Sequence, residues 1–283
     1  MVKSLQQIDV VLNPDNKHIL EILKKRAQTE GWVPMAEDDM AWKRSFEEHT
    51  CYMGIDRESH EPVACVNVSF ERSTSGDPEH DVYYIGDLYV RPDWRSVGLA
   101  ELLWATAKKN VGDVNLVCYG SEKVAPLYAD RYGFDKMPRY HSAFIAIPIE
   151  NLVIPTTIDS QYHVKALKEV GESDVVAYDS EISFRSRGKF FLKVITAGKC
   201  FTKVSMDRLL ERHLFFFYLL KVALDNTGKI VGIGCVRAIY SNNLLAGPFY
   251  ADNEVNPARS WLVVVVVNDD DDDIVVVLVV ELE

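Results

Sequence analysis

The chain holds 283 residues, 48% of them hydrophobic, enough for one large or two ordinary domains with a well-buried core. Its formal charge of -11 is concentrated at one place: residues 261–283 carry seven acidic side chains and no Lys or Arg, leaving 31 basic against 35 acidic groups elsewhere, a balance of -4. No basic block or Arg-rich face marks a nucleic-acid ligand, and no apolar run reaches the length of a membrane span, so the expectation is a protein without nucleic acid or membrane partners.

The opening residues, MVKSLQQIDVV, lack the apolar core and small-residue cleavage site of a secretory signal, which points to the cytoplasm. Residues 6–12 predict a strand, and Asn13 or Asp15 can cap the helix that follows, in which Ile19, Leu20, Ile22, Leu23 and Ala27 share a face up to Gly31. A second helix is predicted from about Ala36 to Glu48. Two strands, CYMGI and VACVNVSF, then flank a polar turn, and DVYYIGDLYV makes a third that ends at Pro92. A helix from about Leu99 to Lys109, the strand VNLVCYG, a helix near Glu122 to Arg131 and a strand pair around Phe134 to Ile149 complete a β-α-α-β-β-β-α-β-α-β order. That pattern is an α/β domain spanning residues 1–150.

Residues 149–157 predict a connector. Beyond it come a strand-like piece, helices to about Arg212, and a hairpin turned by Asp225, Asn226, Thr227 and Gly228, which together predict a smaller second domain over 151–260. The Val- and Asp-rich tail, 261–283, differs in composition from everything before it; its two valine runs are compatible with a hairpin, and no function is assigned to it. The five cysteines are widely spaced and sit mostly in apolar runs, as reduced core thiols do. With no C-x-x-C pair and no histidine array, no metal site is expected.

The chemistry-bearing stretch is VRPDWRSVGLA, Val90 to Ala100, a corner between a strand and a helix. The first N–H groups of a helix lack intrahelical partners and sit at the positive end of its macrodipole, so an anion is their natural companion. Gly98 permits close backbone approach, Ala100 leaves the loop uncovered, Arg95 adds a fixed charge, and nothing acidic lies between Arg95 and Ala100. The corner suits a diphosphate.

With its strand and helix in place, this corner resembles the R/Q-x-x-G-x-G/A loop of the GNAT acyltransferase superfamily. The resemblance implies a GNAT fold: a mixed, mostly antiparallel central sheet flanked by helices. It implies acetyl-CoA as cosubstrate and no metal. The amides of Ser96, Val97, Gly98, Leu99 and Ala100, with Arg95, would hold the pyrophosphate, and the backbone of Leu88, Tyr89 and Val90 would pair with the pantetheine arm. Ser96 stands where glycine is common. APLYADRYGF resembles the family's second signature, in which a tyrosine protonates the departing thiolate; Tyr128 lies five residues before Gly133, one more than usual, and Tyr132 competes for the role. Asp87 stands where similar enzymes carry the carboxylate that takes the amine's proton; alternatively it binds a loop or the substrate ammonium.

AQTEGWVPMAEDDMAW, LLW and AGPFYADN further resemble a YitH-like layout that joins a GNAT domain to a degenerate GNAT-like one, covering residues 1 to about 260. No second R-x-x-G-x-G/A loop follows a strand, so the second domain is not expected to bind CoA. By the same resemblance, the loop holding Trp32, Val33, Pro34, Met35, Glu37, Asp38 and Asp39 roofs the acceptor site. Its acids would draw a cationic small-molecule amine, Trp32 and Met35 would pack on it, and Tyr250 and Asp252 would close the other side; alternatively this is a solvated loop with Trp32 tucked into the core. The expected function is N-acetyl transfer to a primary amine by direct attack, with backbone N–H groups polarising the thioester; the alternative is an inactive CoA-binding sensor or scaffold.

Overall fold

The computed structural model describes residues 3–30, 33–120, 124–136, 141–148, 162–196, 221–240, 244–251, 262–268 and 274–282. A 3-10 turn at Leu5–Gln7, closed by a capping box between Ser4 and Gln7, feeds β1 (Ile8–Leu12). Of the two candidate caps, Asp15 starts α1 (Asn16–Glu30) by accepting the His18 amide at 2.9 Å. Asn13 instead accepts the Cys51 amide across the sheet at 2.9 Å.

The second helix, α2 (Ala36–Lys43), is shorter than its sequence pattern suggests. Ser45 ends it by donating its hydroxyl to the Ala41 carbonyl, 2.7 Å, and its amide to the Trp42 carbonyl, 2.8 Å. The chain then runs through β2 (His49–Asp56), β3 (Pro62–Glu71) and β4 (Val82–Val90), crosses over on α3 (Leu99–Val111), and returns as the two-residue β5 (Leu116–Val117) before α4 (Ala125–Tyr132). These strands form one sheet in the order β1-β2-β3-β4-β5, antiparallel except for the β4–β5 pair. The parallel pair follows from the α3 crossover, since a hairpin cannot join parallel strands.

Helices cover both faces of this sheet, which is why β3 is buried along nearly its whole length instead of alternating. On one face Tyr52, Ala64, Val66, Val68 and Ile85 pack with Leu99, Leu103, Trp104 and Ala107 of α3. A Cβ on Gly54 would come within 3.3 Å of Leu99 Cδ1, so the lack of a side chain there sets how closely α3 approaches β2. On the other face Cys51, Met53, Cys65 and Tyr89 pack with Ile22 of α1. Each fully buried aliphatic side chain of this size contributes about 1.5–3 kcal/mol.

The second half is built on a separate seven-stranded sheet. Its strands are β6 (His141–Pro148), β7 (Tyr162–Ala166), β8 (Lys221–Asp225), β9 (Ile230–Ala238), β10 (Leu244–Ala251), β11 (Leu262–Asn268) and β12 (Ile274–Leu282). Their order is β6-β12-β11-β10-β9-β8-β7. Helices α5 (Glu172–Ser183) and α6 (Gly188–Thr196) bury Val175, Tyr178, Phe191 and Ile195 against Val222, Leu224, Ile233 and Tyr250. The Asp225 carboxylate makes the β8–β9 turn by accepting the amides of Thr227 and Lys229. One feature differs from the sequence reading: β6, within the range expected for the first domain, pairs with β12 in this second sheet. The valine runs of the tail form the antiparallel β11–β12 pair, in keeping with the hairpin their composition allows.

Candidate active site

Strand β4 is the centre of the site. It pairs with β3 along its length, but only Tyr83 and Tyr84 pair with β5, so among the described residues the β4 edge from Ile85 to Val90 has no strand beside it. The β3–β4 register shifts between Cys65↔Tyr89 and Asn67↔Gly86, leaving Asp87 and Leu88 opposite the single residue Val66, and Asp87 adopts φ +55°. This is a β-bulge, which breaks the ladder and leaves a residue unpaired at the point where the free edge begins.

The corner after β4 is held from several sides. Pro92–Trp94 form a 3-10 turn anchored by Trp94, which is 2% exposed. Arg95 is exposed and donates its Nε to the Val90 carbonyl at 3.1 Å, tying the loop to the end of the strand. Ser96 and Gly98 take φ +69° and +84°, and α3 begins with Leu102 donating to the Gly98 carbonyl at 3.0 Å. The amides of Leu99, Ala100 and Glu101 therefore have no helical acceptor and lie at the positive end of α3. Asp93, the acid of this corner, is neutralised by Arg91 at 2.6 Å and by Lys3. The loop geometry fits a diphosphate.

Behind the bulge, the Asp87 carboxylate accepts from Arg26 Nη1 at 2.7 Å and Asn67 Nδ2 at 2.9 Å, with Lys43 Nζ 3.5 Å away. Arg26 also binds Glu30 at 2.8 Å, and Lys43 binds Asp39 at 2.7 Å. Burial works to raise the Asp87 pKa, but the Arg26 and Lys43 charges and the hydrogen bonds from Arg26 and Asn67 outweigh it and hold it well below the usual carboxylate range. A carboxylate so stabilised is a weak base, which alters the role expected of Asp87.

Tyr128 lies on α4 beside the chain that leaves β5. Its ring packs 5.5 Å from Trp104 of α3, and a Cβ on Gly120 would meet its Cδ2 at 3.2 Å. Burial, with the Cys118 thiol and Tyr132 hydroxyl nearby, pushes its hydroxyl up to about 12, so it is a protonated donor at neutral pH. Tyr132 stacks on Trp104 at 4.5 Å. Tyr128 thus packs between α3 and the segment that follows β5.

The acceptor residues expected from the sequence are placed differently. Asp39 is 5% exposed and committed to Lys43, and Asp38 is equally buried, so neither offers free charge to a cleft. Tyr250 is 4% exposed, with its hydroxyl donating to Asp179 at 3.0 Å and accepting from Arg187 at 3.1 Å; it supports the second core rather than lining the site. Trp32 and Asp252 lie outside the described residues. Val33 is fully buried, and Pro34 bridges to Ile239 of the second half.

Arg26, Lys43 and Asn67 were not anticipated, though each left a signal. Arg26 shares the buried face of α1 with Ile22, Leu23 and Ala27, Lys43 stands four residues after Asp39, and Asn67 interrupts an apolar strand. Together with α1, α2, β2 and β3 they bound a cavity of about 340 Å³. Among the described residues no cluster of His, Cys, Asp and Glu is arranged to hold a metal ion, and no helix is long and apolar enough to cross a membrane.

No curated protein matches the chain. In overall structure it is similar to a candidate acetyltransferase from Pyrococcus horikoshii, at 10% identity and a TM-score of 0.56 over 99% of this chain and 91% of that one. Part of the chain is also similar to an acetyltransferase from Trypanosoma brucei, at 15% identity and TM-score 0.37 over 44% of this chain and 89% of that one. A candidate acetyltransferase from Clostridium acetobutylicum, solved with acetyl-CoA, matches at 18% identity and TM-score 0.37 over 46% of this chain and 91% of that one. The likeness is one of fold, the GNAT fold anticipated from the corner motif. Residues 5–182 match the family described as "Protein of unknown function (DUF1248)", and the chain belongs to that family.

Proposed function

We propose that this chain transfers an acyl group from CoA to an amine. The observation that carries the reading is the free edge of β4, which starts at the Asp87–Leu88 bulge and ends at the corner where the α3 amides are open. An extended pantetheine arm would add to Leu88, Tyr89 and Val90 as a further strand, and its diphosphate would fall at Ser96 to Ala100. That alignment brings the thioester to the bulge, where backbone N–H groups released from the ladder can face the developing oxyanion.

In the reaction the amine nitrogen bonds to the acyl carbon, the carbon–sulfur bond breaks, and the thiolate leaves. Tyr128, protonated at neutral pH, donates its proton to sulfur and is reprotonated by solvent. The proton of the attacking amine goes to water. Asp87 holds Arg26, Lys43 and Asn67 in place and so fixes the geometry around the bulge. Most of the acceleration then comes from juxtaposition and from oriented amides.

Two measurements test this on the purified full chain. Acetyl-CoA should raise the unfolding temperature, and free thiol should appear when amines are supplied. Gly98→Val, which forces a β-branched residue to φ +84°, and Arg95→Glu, which puts a negative charge at the loop, should each weaken acetyl-CoA binding by about tenfold or more. Unchanged binding in both variants would overturn the assignment of the corner. The ion-paired state of Asp87 favours one alternative, a CoA-binding module without turnover, whose outcome is acetyl-CoA binding with no thiol release across a broad amine panel.

A further inference from the structure

The cavity bounded by α1, α2, β2 and β3, about 340 Å³, falls at the small end of the range of about 300–1,000 Å³ typical of small-molecule sites. Its wall is largely apolar: Ile19, Ile22 and Leu23 from α1, Met40 from α2, and Met53 from β2. The three α1 residues share one helix face by their spacing, so they form a continuous strip. Asn13, Asn16 and Arg44 are exposed and mark the open side, whereas Arg26, 4% exposed, lies at the closed end. Asn16 and Arg26 are ten residues apart on α1, about 15 Å of helix rise.

The charged lining is all of one sign. Arg26, Lys43 and Arg44 contribute to it, and no Asp or Glu is among the described residues that do, so an ammonium group would meet cations there and no counter-charge. The three cations are not equivalent. Arg26 is engaged by Asp87 at 2.7 Å and Glu30 at 2.8 Å, and Lys43 by Asp39 at 2.7 Å, all carboxylates outside the lining. Arg44 pairs with no carboxylate among the described residues; its Nη2 donates to Asn16 Oδ1 at 3.2 Å, one of the five N–H donors a guanidinium carries. Asp15, beside Asn16 in sequence, is outside the lining and is engaged by the amide and ring of His18 at 2.9 and 2.7 Å. His49, on the β2 wall, adds no charge at neutral pH, because burial, reinforced by the Lys43 charge, lowers its pKa to about 4.

We infer that this cavity binds a carboxylate carried on an apolar chain. The carboxylate meets the Arg44 guanidinium at the open side, the geometry in which an Arg fork holds two oxygens at once, and the chain runs inward along Ile19, Ile22, Leu23, Met40 and Met53. The orientation follows from the charges: Arg26 and Lys43 already have their anions, and Arg44 does not. The chain gains by leaving water, and the α1 span between Asn16 and Arg26 exceeds an extended octanoate. The inference concerns binding and stands apart from the acyl-transfer reading. The diphosphate corner belongs to α3 and its face of the sheet, whereas this cavity lies on the α1 face.

A series that shares one chain and differs in the head tests it: octanoate, octanol and octylamine, titrated calorimetrically into the full chain without CoA, with butanoate as the short-chain control. Octanoate should bind tightest, with octylamine and butanoate each at least about tenfold weaker, the first through charge and the second through lost apolar contact. Arg44→Glu, an exchange at an exposed position, should put octylamine ahead of octanoate, and Arg44→Lys should keep octanoate ahead. Met40→Trp, which adds bulk to the wall, should weaken octanoate binding by at least about tenfold while leaving the acetyl-CoA shift intact. No octanoate binding, octylamine equal to or tighter than octanoate in the unmodified chain, or an order unmoved by Arg44→Glu would overturn the inference. So would undiminished octanoate binding by a folded Met40→Trp chain, which would place the ligand elsewhere. Loss of the acetyl-CoA shift with this selectivity intact would instead overturn the acyl-transfer reading and leave the carboxylate site standing.

Discussion

Replacing Asp87 by Asn removes one charge from the centre of the site and leaves its shape nearly unchanged. Arg26 is 4% exposed and Lys43 17% exposed at the side chain, so both would lose their shared anion in a region with little water. Removing one partner of a fully buried ion pair costs about 3–5 kcal/mol. Here Arg26 keeps Glu30 and Lys43 keeps Asp39, and the Asp87 side chain is 30% exposed, so about 2–3 kcal/mol is expected at pH 7. Urea denaturation followed by tryptophan fluorescence reads this as a lower midpoint at unchanged slope. The sign of the pH dependence is fixed: because the folded pKa is depressed, the stabilisation is complete above the unfolded value near 3.9 and is lost as pH falls towards the folded one. The penalty of the substitution should therefore be flat from pH 8 to 5 and shrink below about pH 4, by up to about 1.4 kcal/mol per pH unit. A penalty under about 0.5 kcal/mol at pH 7, or one that persists undiminished to pH 3, would refute the reasoning.

Tyr128→Phe keeps the stacking on Trp104 and removes the proton donor, so kcat should fall by about 10²-fold while acetyl-CoA affinity stays within twofold. An unchanged kcat would move the role to Tyr132 or to water. His49 is half-buried with its pKa lowered to about 4, so the unfolded chain gains a proton there before the folded one does. Stability contributed by its neutral form is present above about pH 6.5 and is lost as pH falls towards 4, and His49→Gln should flatten that decline by up to about 1.4 kcal/mol per pH unit.

The corner from Val90 to Ala100 was legible because its information is local: a proline that ends a strand, a glycine at positive φ and a helix start are each written in adjacent residues. The first five strands and three helices were legible for a similar reason, through hydrophobic spacing. The cluster around Asp87 was not, because its chemistry is assembled from four elements. Arg26, Lys43, Asn67 and Asp87 come from α1, α2, β3 and β4, and only the sheet register and helix docking bring them within hydrogen-bond reach. The acids of α2 misled for a related reason: in sequence Glu37, Asp38 and Asp39 look like one solvated patch, but the helix turns Asp38 and Asp39 inward and only Glu37 out. The pairing of β6 with β12 joins residues more than 120 positions apart, a distance at which no periodicity operates.

The second half bears on the site through α2. Phe46, just past the end of α2, stacks on Phe190 of α6 at 4.2 Å, and Tyr240 donates its amide to the Val33 carbonyl just before α2, 2.9 Å. Both ends of α2 are thus held by the second half, and with them Asp39 and Lys43. A third tie is ionic. Glu71 at the end of β3 is 5% exposed and has its pKa raised by burial, with Arg187 Nη1 3.7 Å away; Arg187 in turn grips Asp179, which is fully buried, with two bonds of 3.1 Å. Arg187→Met would leave two buried carboxylates without their cation, at a cost of about 3–5 kcal/mol. If the second half steadies α2, that variant should also slow thiol release with amines while the acetyl-CoA shift, which the proposed reading assigns to α3 and β4, is preserved. A stable variant with unaltered thiol release would show that the two halves share a chain but not a site.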